Sequence, residues 1–274
     1  MSNNIQFLED FRQIHDMRNS VSRILYQKEA MRIEKAERYL KKVVETCEFC
    51  MCMSFESLEK ALSDNEIKEM SETGTGATIG GIEVRRKAIF DLYNLDSTKY
   101  SAKEQPKYGF LVGPDRQKDL YKDPDAFYHY GQVLVTFRKE NMIERTTMTV
   151  GSSLNFNESA LKTPTFVNDP KFICIKGLPK KPELHGKPYF MGLNFFTDYL
   201  IGEKELNPEY PNSMAMLSND ELGFENFELQ FFGKITFSED VKDLHYIEIG
   251  GNSAEHLEKI GPLLKKYNLS CKEL

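Results

Sequence analysis

Over residues 5–47 the apolar positions recur at helical spacing. Leu8, Phe11 and Ile14, then Val21, Ile24, Leu25, Met31 and Ile33, alternate with charges, and neither Pro nor Gly interrupts them. The pattern predicts a short helix joined to a longer one. The break is expected near MRNSVS, where Asn19 or Ser20 would serve as an N-cap. CMCMSF then predicts a strand and SLEKALSDNEIKEM a helix. Residues 72–81, ETGTGATIGG, are dense in Gly and Thr and read as a loop, and IEVRRKAIFDLYNL reads as helix.

From Lys107 the period changes to two. KYGFLV, YGQVLVTF, RTTMTV, KFICI, PYFMGLNFF, NFELQFFGKITF and LHYIEI predict short strands separated by Gly, Pro and Asn turns. Within residues 226–237, Phe227, Leu229, Phe231, Ile235 and Phe237 share one face, and Glu228 and Gln230 stand side by side on the other. That pair is either the solvated side of a half-buried strand or a site of chemistry. A last amphipathic helix is expected from Ser253, capped by Asn252, with Leu257, Ile260, Leu263 and Leu264 turned inward. Helices followed by a strand-rich half make an α+β protein. Residues 1–48 are read as an N-terminal helical extension and 49–274 as the principal domain.

The chain has 274 residues and a net charge of −6. An acidic balance argues against nucleic-acid binding, which draws on concentrated Lys and Arg. No apolar run approaches membrane-spanning length, and MSNNIQFLEDFRQ carries charges where a secretory signal has its apolar core. Five cysteines, three of them in CEFCMC, form no disulfide framework. A cytosolic, reducing compartment is the expectation; an effector secreted into a host cell's cytosol would carry the same signature.

Candidate chemistry is sparse. Cys47, Cys50 and Cys52 offer at most three thiolates with no second Cys or His pair at finger spacing, so core cysteines and no metal are expected. There is no G-x-S-x-G elbow; Ser152 and Ser153, just after a predicted strand, are turn formers or site hydroxyls. The 72–81 loop carries no dinucleotide or P-loop fingerprint. It would present backbone N–H groups to a phosphate or serve as a connector.

In order along the chain stand SETGTG (71–76), PKYG (106–109), RTTMTVGSS (145–153), ELQFFG (228–233) and SEDV (238–241). This series resembles a divergent family of ADP-ribosyltransferases, formerly a domain of unknown function, that includes at least one bacterial effector. Its members carry a Phe-Glu-Thr-Gly loop, a Pro-Lys-Tyr-Gly strand, an Arg-x-Thr-Phe-Thr-x-Gly-Asp-Ser segment, a Glu-x-Gln-x-x-Gly strand and then Asp-Val. The likeness spans about residues 50–250. The chain departs from the family in three places. MSFESLE lacks the His of the family's Phe-His-Pro-Asp, Lys68 stands where the family has Arg, and Gly-Asp-Ser has become Gly151-Ser152-Ser153.

The resemblance implies a split β-sheet catalytic domain over 49–274 and a mono-ADP-ribosyltransferase that takes NAD as substrate and modifies a side chain, arginine being indicated, on a host protein such as a metabolic enzyme. Cleaving the nicotinamide–ribose bond passes through an oxocarbenium-like transition state, which a fixed carboxylate stabilises. Glu228 would supply that charge and Gln230 would orient the ribose or the acceptor. Glu72, Thr73 and Gly74 would line the cofactor loop, and Tyr108, with Tyr130, would stack on nicotinamide beside Gly109. Ser152 or Ser153 would hold the glutamate strand or a ribose hydroxyl. Arg145 would meet the pyrophosphate or be a strand-edge charge. The rival readings are a catalytically inactive binding module with the same fold and an NAD glycohydrolase with water as acceptor. No nucleic-acid partner, membrane span or metal is expected.

Overall fold

A computed structural model describes residues 5–25, 27–68, 90, 95–101, 104–113, 131–150, 164–171, 173, 183–184, 187–188 and 227–274. Its frame is an eight-stranded sheet, ordered β10-β9-β3-β1-β2-β8-β4-β5. The strands are β1 (Glu48–Met53), β2 (Lys107–Val112), β3 (Val133–Phe137), β4 (Thr146–Val150), β5 (Thr165–Phe166), β8 (Phe227–Phe231), β9 (Val241–Tyr246) and β10 (Cys271–Glu273). The short β6 (Glu183–Leu184) and β7 (Lys187–Pro188) pair only with each other. In the large sheet β9 and β10 run parallel and every other pairing is antiparallel. With the helices α1 (Gln6–Leu25), α2 (Ala30–Thr46), α3 (Phe55–Asp64), α4 (Lys139–Met142) and α5 (Ser253–Lys266), the chain is α+β.

One sheet face carries the main core. Phe49, Met51, Leu111, Val133, Val135, Phe137, Met148, Leu229 and Phe231 are buried there against Val43 and Leu40 of α2, Leu58 and Leu62 of α3, and Ile260 and Leu264 of α5. Each such side chain contributes about 1.5–3 kcal/mol. The register explains one glycine: a Cβ on Gly109 would lie 2.2 Å from the Cys50 carbonyl oxygen and 2.5 Å from the Phe231 ring. The absent side chain is what lets Phe231 pack 4.9 Å from Phe137. Lys139 Nζ donates to the carbonyls of Val44 (2.7 Å) and Glu45 (3.0 Å), closing the open end of α2.

The opposite face is covered in part by α1. Phe7 stacks on Phe232 with centroids 4.5 Å apart, Phe11 lies 5.0 Å from Phe166, and Tyr100 donates to Asp10 at 2.7 Å. His15, buried, sits against Phe166 with its Nε2 3.3 Å from Thr165 Oγ1. Burial holds its pKa below the ordinary histidine value, against the pull of Asp16.

Four boundaries differ from expectation. The helix expected over SLEKALSDNEIKEM begins at Phe55, capped by Ser54, and ends at Asp64, where Asn65 turns left-handed at φ 53°. The break between the first two helices falls at the Gln27–Glu29 turn, not near MRNSVS. Ser20 Oγ donates back to the Asp16 carbonyl at 2.9 Å and so stays inside α1 rather than capping a new helix. The strand expected over 226–237 stops at Phe231, because Gly233 adopts φ 75° and turns the chain; Ile235 returns only as an isolated bridge to Ile67. Asn252 precedes α5 without a side-chain capping bond. The expected strands at KFICI and PYFMGLNFF, and the helix at IEVRRKAIFDLYNL, lie essentially outside the described residues.

Candidate functional site

β8 is flanked by β2 and β4, so the sheet register decides what surrounds Glu228 and Gln230. Gln230 stands opposite Tyr108 on β2 and Thr147 on β4; Glu228 stands opposite Phe110 and Thr149. All share the face away from the main core, since side chains alternate along a strand. Tyr108 is thereby one rung diagonal from Glu228, about 7–8 Å between Cα positions. It is half-buried and packs against the aromatic cluster of Phe7, Phe90 and Phe232.

Gln230 is fully buried, so this side of the strand is not a wet face. Its Oε1 accepts from Thr147 Oγ1 at 2.9 Å, and its Nε2 donates to Thr149 Oγ1 at 3.2 Å and to Glu228 Oε1 at 3.0 Å. The carboxylate fixes which end of the amide faces it: Glu228 only accepts and so takes the NH2, which leaves Oε1 for Thr147, whose hydroxyl can donate or accept. A half-buried carboxylate is thus presented in one orientation by a rigid strand, beside hydroxyls and an aromatic ring. A negative charge fixed in this way is poised to stabilise developing positive charge without reorganising.

Arg145 is not brought to this cluster. Its guanidinium donates to Asp240 Oδ1 (2.6 Å), the Asn141 carbonyl (3.1 Å), Met142 Sδ (3.2 Å) and the Lys234 carbonyl. Asp240 Oδ2 in turn accepts from the Thr236 amide at 2.7 Å. Arg145 precedes β4, four residues from Thr149, about 13 Å along the strand at the usual rise. It brackets the turn after β8. Two residues that the sequence series had set apart, Arg145 and the Asp of SEDV, are therefore each other's partners. Gly109 projects to the core face, where packing against Cys50 and Phe231 accounts for it. Lys68 pairs with Asp64 at 2.5 Å.

Glu72, Thr73, Gly74, Tyr130, Ser152 and Ser153 lie outside the described residues. Cys47 and Cys50 are buried, and burial raises both thiols, Cys47 to about 11. Among the described residues no group of three or more His, Cys, Asp or Glu is arranged to hold a metal, and no helix is long and apolar enough to cross a membrane.

Sequence reasoning missed Thr147 and Thr149. Their signal was present as Thr-x-Thr at period two beside a Glu-x-Gln strand, but only the β4–β8 register turns that coincidence into a hydrogen-bonded set. Neither a protein-family model nor a curated protein matches the chain.

Proposed function

We propose that the chain is a mono-ADP-ribosyltransferase with an ADP-ribosyltransferase-like fold, using NAD as substrate and a side chain of a host protein, arginine by the resemblance, as acceptor. The observation that carries this reading is the Glu228 carboxylate, held at 3.0 Å by a buried Gln230 whose amide is itself fixed by Thr147 and Thr149. The described parts of the resemblance series also meet in space: PKYG, RTTMTV and ELQFFG lie on the three adjacent strands β2, β4 and β8.

The chemistry follows from that placement. The bond between nicotinamide and the ribose anomeric carbon breaks, and its electron pair leaves with nicotinamide. Positive charge builds on the ribose, and Glu228, one hydrogen bond from a neutral amide, faces it as the fixed countercharge. The acceptor nitrogen then bonds to the anomeric carbon and loses a proton, which the Glu228 carboxylate can take. Tyr108 offers a flat apolar surface for the heterocycle on the same face.

Arg145 favours a second reading, a binding module without transferase activity, because its guanidinium is committed to Asp240 and to carbonyls. The experiment that separates them is incubation with labelled NAD and a host-cell lysate. Label on a protein band supports the transferase, free ADP-ribose alone a glycohydrolase, and neither product the binding module.

A further inference from the structure

We draw no further inference here: the strongest candidate, the N-terminus of α5 behind the Gly250–Gly251 turn with its unpartnered Ser253 hydroxyl, is a helix N-terminus alone, because that hydroxyl is closed off from solvent and Glu255 already sets a negative charge in the first turn.

Discussion

Replacing Thr147 by Val removes one hydroxyl and almost no volume, at a site with no exposure. Val still fits a strand, so the loss is that of the donor 2.9 Å from Gln230 Oε1. The amide can respond in two ways. If it keeps its orientation, a buried carbonyl oxygen loses its hydroxyl partner, costing about 1–3 kcal/mol. If it flips, Oε1 gains the Thr149 hydroxyl but turns toward Glu228, setting acceptor against carboxylate where a 3.0 Å hydrogen bond had been. Neither route is free, so Thr147→Val should lower unfolding free energy by about 1–3 kcal/mol. For a chain of this size that lowers Tm by about 2–4 °C per kcal/mol. Urea titration gives the free energy directly, with Thr147→Ser as the matched control because it keeps the hydroxyl. Under the transferase reading Thr147→Val also slows NAD consumption, through loss of the Glu228 orientation, and Thr147→Ser restores it. A Val variant within about 0.5 kcal/mol of the parent would refute the network as a structural unit. A Ser variant as unstable as Val would show that the methyl, not the hydroxyl, matters.

Gly109→Ala should destabilise by at least about 1–3 kcal/mol by driving a Cβ into the Cys50 carbonyl and the Phe231 ring, which thermal unfolding would detect. His15 should make the docking of α1 sensitive to acid. Its pKa in the folded protein lies below the usual 6.5 because of burial, helped by Arg12 and opposed by Asp16 and Asp169, so the neutral ring belongs to the folded state. Its contribution is full above about pH 6.5 and is lost as pH falls from there through the lowered folded value. His15→Gln should therefore show a smaller loss of stability between pH 7.5 and pH 5.5 than the parent, by roughly the histidine's share of the linkage. Parallel pH profiles would remove His15 from the account.

The strands were legible because period-two alternation survives in short segments: KYGFLV and RTTMTV stand where the pattern put them, and the apolar faces of β2 and β8 meet in the core. Cys50 was readable as a core residue for the same reason. Register was not legible. Nothing in one dimension says that Thr147 faces Gln230 or that Phe110 faces Glu228, and the burial of Gln230 follows from those pairings and from α1 folding over that face. The end of β8 was hidden because Ile235 and Phe237 keep the alternation past the turn at Gly233 and are both buried in the main core. Arg145 read as a cation for a phosphate because charge alone carries no partner; its partner, Asp240, is 95 residues away. The helix break was misplaced because Asn19 and Ser20 are good caps that a helix can also keep inside, when the hydroxyl bonds back to a carbonyl one turn earlier.

The most direct test of the central claim is the rate of NAD cleavage and of label transfer by the parent, Glu228→Gln and Gln230→Glu. Glu228→Gln keeps shape and can still accept the Gln230 hydrogen bond, so urea titration should find the fold intact, while the lost charge lowers the rate by about 10²–10³-fold, about 3–4 kcal/mol in the barrier. NAD affinity should change little, because the ground state carries little positive charge at the anomeric carbon. Gln230→Glu replaces the amide donor with a second buried carboxylate facing Glu228, so it should lower stability as well as rate, in contrast to Glu228→Gln. A parent that cleaves NAD and a Glu228→Gln variant that does so at an undiminished rate would contradict the account outright.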